Sequence, residues 1–178
     1  MSTNFQIDAY LRPRVPNFIG VYPADKLPSL NRVPPNSCLV ANMSGRNEQG
    51  THWIALMHLM DPHEPPIGFD SYALLDQLNS IVGTHADFHD YLKKASQLAG
   101  HNGVYHVNRQ ELQCVVDTHG HPSDVCGEYA CYACLKQTLP QDPNTGAITP
   151  EWRQHNIVGL SSTCQNSDHI VRQLVQLR

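Results

Sequence analysis

The sequence predicts an α+β domain, with a mixed, mainly antiparallel sheet packed against a central helix and further helices flanking it. Three observations carry this expectation. Two uncharged apolar runs, SCLVANM (37–43) and HWIALMHL (52–59), stand on either side of the turn-rich SGRNEQG, the pattern of two strands joined by a hairpin loop. Helical spacing of apolar residues takes over only beyond residue 71. Strand pairs therefore precede helices instead of alternating with them, which disfavours a doubly wound parallel sheet.

A chain of 178 residues is long enough for one domain with a substantial core and too short for two ordinary ones. A hydrophobic content of 40% fits a globular chain and not a disordered one. No apolar run approaches the length of a membrane span. The start, MSTNFQIDAY, has neither the basic leader nor the apolar run of an export signal, so a protein that is not secreted is expected. Its 6 cysteines are then expected to be thiols in a reducing compartment. A net charge of −4 argues against a surface built mainly for nucleic acid. The 11 histidines make that charge sensitive to pH.

Residues 1–37 carry Pro13, Pro16, Pro23, Pro28, Pro34 and Pro35 and read as an extended arm, with a short helix at 4–11 and a brief strand from Phe18 to Val21. The hairpin follows. DPHEPP (61–66) is a second turn and IGFDSYA, from Ile67, a third short strand. From Ser71 to Gly100 the apolar positions suit two amphipathic helices broken near Gly83-Thr84. Val104–Val107 and Leu112–Val116 read as strand pieces, and DTHGHPSD as a loop. Pro122-Ser123-Asp124 looks like a helix start, with the helix running from Val125 to Leu139. After a loop at 140–149, a C-terminal helix is expected over Asp168–Leu177, with Ile170, Val171, Leu174 and Leu177 on one face.

Three side chains stand out. Cys126 sits where loop becomes helix, so unpaired N–H groups and the positive end of the peptide dipoles would favour its thiolate. Gly127 after it lets another backbone approach closely. Cys131 and Cys134, among alanines inside the helix, read as small core residues. His52 opens a core strand and would be held rigidly enough to share a proton with a sulfur, although a lone half-buried histidine is more often satisfied by a backbone carbonyl. Asp70, in GFDSY, ends the next strand, and antiparallel pairing through the turn at 61–66 would bring it beside His52. Asp61 lies at the far end of that hairpin, and Asp76 falls in a helix. Trp53 reads equally as a core aromatic or as a wall of the site.

These stretches resemble the adenain family, the cysteine endopeptidases of adenoviruses with relatives in other large DNA viruses and virus-like transposons. The matching segments are FIGVYPADKLP (18–28), CLVANMSGRNEQGTHWIAL (38–56), FDSY (69–72) and CGEYACYACL (126–135). The SGR…G.HW segment and the order His, acid, Gln, Cys are specific. Papain-like enzymes place the cysteine first and fit poorly. SUMO-deconjugating proteases share the broader fold and the order of roles, but lack the SGR…G.HW segment.

The resemblance implies a thiol protease of the adenain/SUMO-protease fold, with Cys126 as nucleophile, His52 as general base and Asp70 as orienting acid. Adenain itself has a glutamate at the acid position, and relatives use aspartate or asparagine. The family also places a glutamine in the oxyanion hole a few residues before the cysteine. At that spacing this chain has His119 or Gly120. Gln113, ending NRQELQ, takes the role if CVVDTHGHPS contains an insertion; His119 is the alternative. The resemblance further implies viral precursor capsid or core proteins as substrates, cut at small residues during virion maturation. The setting would be a host cell nucleus or virus assembly site and the virion, with the enzyme a monomer and no membrane involved. Family members are activated by a capsid-derived peptide joined through a cysteine, and by DNA. No cysteine stands at the corresponding place, near Asn102, and the chain is acidic, so peptide and DNA remain open as partners without assigned residues.

Other classes stay open at this point. A SUMO- or ubiquitin-like deconjugating enzyme would share the triad. A zinc module could use His119, His121, Cys126, Cys131 and Cys134, although Tyr132-Ala133 continues a helix where zinc knuckles turn. An inactive relative could serve as a capsid-binding protein.

Overall fold

The structure is a computed structural model that describes residues 2–44, 52–58, 64–77, 85–108, 111–117, 119–138 and 163–177. The elements are α1 (Asn4–Leu11), β1 (Phe18–Pro23), a 3-10 turn (Ala24–Lys26), β2 (Ser37–Asn42), β3 (Trp53–His58), β4 (Ile67–Asp70), α2 (Leu74–Gln77), α3 (His85–Leu98), β5 (His106–Val107), α4 (Cys126–Thr138) and α5 (Cys164–Leu174). The strands form one 5-stranded sheet in the order β1-β2-β3-β4-β5. The β2-β3 and β3-β4 pairs are antiparallel; the outer pairs, β1-β2 and β4-β5, are parallel. This is the expected α+β class with a mixed sheet.

Helices cover both faces, which explains the unbroken apolar runs. Cys38, Val40, Ala55, Met57 and Phe69 join a core with Ile7 and Leu11 of α1, Tyr129 and Ala133 of α4 and Val171 of α5. The alternate positions Leu39, Ala41, Ile54 and Leu56 join a second core with Phe88, Leu92 and Ala95 of α3. Every residue of β2 and β3 is buried, as strands covered on both faces must be. Gly68 of β4 fits this packing because a Cβ there would lie 2.9 Å from Leu92 Cδ1. Among the described residues, no helix is long and apolar enough to cross a membrane.

Three expectations need correcting. The proline-rich N-terminal stretch carries the expected helix at 4–11 and a strand from Phe18, but it is not an extended arm: Ile7, Leu11, Val15 and Phe18 are core residues, and the Thr3 side chain and Gln6 form a reciprocal cap on α1. Leu112–Val116 is not a strand. It makes one isolated bridge, Val116 to Pro122, and leaves Val115 and Val116 exposed. The C-terminal helix starts at Cys164 and buries Ser167, Asp168 and Val171, while Leu174 is exposed. All but the first residue of the expected hairpin loop (45–50), the helix break at 83–84, Asp61 and the loop at 140–149 lie outside the described residues.

Candidate active site

The β3-β4 hairpin builds one side of the site. Asp70 pairs with Ile54 across the ladder, which sets it beside the entry to β3. His52, just before that entry, is fixed by its own backbone: its carbonyl accepts from the Met43 N–H at 2.9 Å, carrying the β2-β3 ladder past the strand end. The two side chains meet, with His52 Nε2 at 2.6 Å from Asp70 Oδ1. The histidine is 6% exposed and the aspartate 0%, so this is an interior pair, screened from water.

Asp70 is held from several directions. Its Oδ1 also accepts from the Tyr72 N–H at 2.9 Å, and its Oδ2 from the Leu74 N–H at 3.0 Å, at the start of α2. Its backbone exchanges two hydrogen bonds with the Asn108 side chain, at 2.8 and 2.6 Å. Such a carboxylate cannot rotate away from the imidazole without giving up backbone donors.

The other side is the start of α4. Cys126 is its first residue, and the Tyr129 N–H closes the first turn on the Val125 carbonyl. With Nε2 occupied by Asp70, Nδ1 is the ring atom left for the sulfur. It is buried without a hydrogen-bond partner of standard geometry among the described residues. Yet Cys126 is near enough to act on the ring. Burial works most strongly against the charged imidazolium, but hydrogen bonding to Asp70 and Cys126 and their charges together outweigh it, raising the His52 pKa from 6.5 to about 9. The sulfur lies close to the ring, in a resting contact short of a formed hydrogen bond. The Tyr72 ring lies against His52, centroids 5.0 Å apart and tilted by 34°, where its π-face favours the imidazolium. Burial pushes the Tyr72 hydroxyl up to about 12.

The remaining cysteines behave differently. Cys131 and Cys134 are core residues whose thiols burial pushes well up, with Cys134 hydrogen-bonded to Cys38. Cys114 and Cys164 form a disulfide, so the expectation that all six cysteines are thiols is overturned for these two. Composition alone could not show that a cysteine beside Gln113 meets one at the start of the last helix. Among the described residues, no group of three potential ligands is arranged to hold a metal ion.

Gln113 lies between the two halves of the site. Its Oε1 accepts from Ser71 Oγ at 2.7 Å, next to Asp70 in the chain. Its Nε2 donates to the Ser123 carbonyl at 3.0 Å, shortly before Cys126, with a longer 3.5 Å contact to Ser123 Oγ. His119, the alternative, is exposed on a turn that Asp117 Oδ1 holds through the His119 and His121 N–H groups, at 2.8 and 2.9 Å. Trp53 is buried, and its Nε1 donates to the Ser2 carbonyl at 3.1 Å. Gly127 admits that same segment: a Cβ there would lie 2.6 Å from Ser2 Oγ, which itself donates to Glu128 at 3.0 Å. The close approach at Gly127 is therefore made by the chain's own N-terminal segment.

Sequence reasoning missed Ser123 and Asp168. A serine three residues before the cysteine was read only as part of a helix start, and the aspartate only as the first residue of a terminal helix. The sole hint was a carboxylate beside the apolar stripe of that helix. No protein-family model matches the chain, and no curated protein matches it.

Proposed function

We propose that this protein is a cysteine peptidase in which Cys126 is the nucleophile, His52 the proton carrier and Asp70 the group that orients it. The single observation that carries the reading is the buried His52–Asp70 contact of 2.6 Å, on an imidazole whose other nitrogen is left for the cysteine at the start of α4. A structural histidine needs no carboxylate on one side and a thiol on the other.

The chemistry follows from these groups. The Cys126 sulfur attacks a peptide carbonyl carbon, forming an S–C bond and an oxyanion. The Cys126 backbone N–H and the side-chain amide of Gln113 are the donors for that oxyanion. His52 gives its proton to the departing amine as the C–N bond breaks, leaving a thioester. It then takes a proton from water, whose oxygen displaces the sulfur and releases the acid. By resemblance to the adenain family, the substrates are viral precursor proteins cut beside small residues such as glycine.

The test is cleavage of glycine-containing capsid-precursor peptides, with ubiquitin-like C-terminal tails as a second substrate set. Cleavage that disappears in Cys126→Ala is expected, and preference for the second set would assign the enzyme to deconjugation. Cleavage undiminished in Cys126→Ala overturns the reading.

A further inference from the structure

We propose that Asp168 of α5 is a positioning residue for the Cys126 site, acting through Ser123 on the side-chain amide of Gln113. The inference rests on the peptidase reading and deepens it, because it brings in a helix outside every segment that resembles the adenain family.

The contacts run without a break. Asp168 Oδ2 accepts from Ser123 Oγ at 2.8 Å. The Ser123 carbonyl accepts from Gln113 Nε2 at 3.0 Å and from the Tyr72 hydroxyl at 3.4 Å. Gln113 Oε1 accepts from Ser71 Oγ, and Ser71 adjoins the acid that holds His52. Asp168 Oδ1 lies 3.4 Å from the N–H of Cys114, the residue after Gln113, and 3.0 Å from the Tyr129 hydroxyl in α4. Asp168, Ser123, Gln113 and Ser71 are all buried. The carboxylate thus grips the chain on both sides of the gap between Gln113 and the nucleophile helix.

A carboxylate is an expensive way to pack a helix. Burial pushes its pKa up, and an apolar residue on this face of α5 would cost less. What the carboxylate gives is direction, since its two oxygens fix a hydroxyl and a backbone N–H that no methyl group could fix. A second, independent link points to the same place. Cys164 precedes Asp168 by one helical turn, on the same face, and its disulfide to Cys114 ties α5 to the residue beside Gln113. Among the described residues between Leu112 and α4 there is no regular strand or helix to hold the chain, so α5 supplies the support.

The test compares Asp168→Ala, Asp168→Asn and Ser123→Ala with the wild-type chain. Readouts are kcat and KM on a cleaved peptide, the side-chain amide signal of Gln113 in a 15N-correlated NMR spectrum, and the rate of Cys126 alkylation by iodoacetamide. In Asp168→Ala, kcat is expected to fall about tenfold or more through misplacement of an oxyanion donor. KM and the alkylation rate stay near wild type, and the Gln113 amide signal moves. Asp168→Asn, which keeps an acceptor for Ser123, restores most of kcat. A folded Asp168→Ala with wild-type kcat and an unmoved Gln113 amide overturns the proposal. Should that variant not fold, Ser123→Ala decides in the same way, since it removes the gripped hydroxyl and almost no volume. A wild-type chain that cleaves nothing ends the peptidase reading, and the Gln113 amide signal then still decides whether Asp168 positions it.

Discussion

His52 and Asp70 share a contact of 2.6 Å in the interior of the protein, and that contact, with the nearby Cys126, overcomes burial to favour the charged imidazole. With a pKa raised to about 9, His52 is an imidazolium at neutral pH, the form that the proposed mechanism needs to pair with a thiolate and to protonate a leaving amine. Activity is therefore expected to hold through neutrality and to fall as pH passes about 9. Asp70→Asn keeps the shape but removes the charge, and one of the N–H donors around it would then face an NH2 group. The alkaline limb of kcat/KM should move down by about one pH unit or more. The rate itself should drop at least about tenfold. A limb that stays in place in Asp70→Asn would mean that another group sets it. Stability follows the same sign. The stabilisation is complete below pH 6.5 and is lost as pH rises through about 9, so wild type should lose its advantage over His52→Gln across that range.

His58, at the other end of β3, is predicted to behave in the opposite way. It is 2% exposed and sits between Ser37 Oγ at 2.8 Å and the Tyr91 hydroxyl at 3.3 Å. Burial pushes its pKa down to about 4, and no carboxylate opposes that. Its neutral form is the folded one. Stability is intact above pH 6.5 and erodes as pH falls towards about 4, because the unfolded chain takes up the proton first. Denaturant midpoints at pH 7.5 and 5 measure this. Wild type should lose on the order of 1–2 kcal/mol more than His58→Gln between them. Equal losses would show that His58 titrates without penalty.

The two histidines also mark how far the sequence could be read. A hairpin with both faces covered announces itself as apolar runs around a turn, and its register brings His52 beside Asp70 through local pairing alone. The start of α4 at Cys126 was legible for a similar reason, from Pro122-Ser123-Asp124 just before it. What escaped is what depends on distant partners. Leu112–Val116 looks like a strand because its residues are apolar, but it is held by a disulfide and a carboxylate from α5, and nothing in its own composition reports them. In α5 the apolar face is legible at Ile170, Val171 and, just past the helix end, Leu177, but its start is not, because its first turns bury Ser167 and Asp168, polar residues that an apolar count places outside. The prolines of the first 37 residues likewise concealed the core positions Ile7, Leu11 and Val15.

Gly127 allows two effects of opposite sign to be separated. An alanine in a helix is favoured over glycine by roughly 0.5–1 kcal/mol. Here its Cβ would lie 2.6 Å from both Cβ and Oγ of Ser2, a segment tied to Trp53 and Glu128. Gly127→Ala should therefore destabilise the full chain by about 1 kcal/mol or more. It should also release the Trp53–Ser2 bond, seen as altered Trp53 fluorescence in a Trp152→Phe background. In a chain lacking residues 1–3 the same substitution should be neutral or stabilising. A destabilisation of equal size in both chains would place the clash elsewhere.

The Cys114–Cys164 bond encloses α4 and Cys126 within a loop whose ends are 50 residues apart in sequence. Closing a loop of that length removes chain entropy worth up to about 4 kcal/mol from the unfolded state. A reductant also regenerates the Cys126 thiol, so reduction of the wild-type chain alone cannot isolate the bridge. The Cys114→Ser/Cys164→Ser chain can. Its thermal midpoint should lie below that of the wild type without reductant and should not respond to reductant, while the wild type falls to meet it. Thiol titration in denaturant gives an independent count: the 4 unbridged cysteines should react before reduction and all 6 after it. If all 6 react before reduction, the bridge is not formed in solution. Asp168 would then be left as the principal hold of α5 on the segment beside Gln113, and its substitution should be felt more strongly, because two grips that share one segment do not contribute independently.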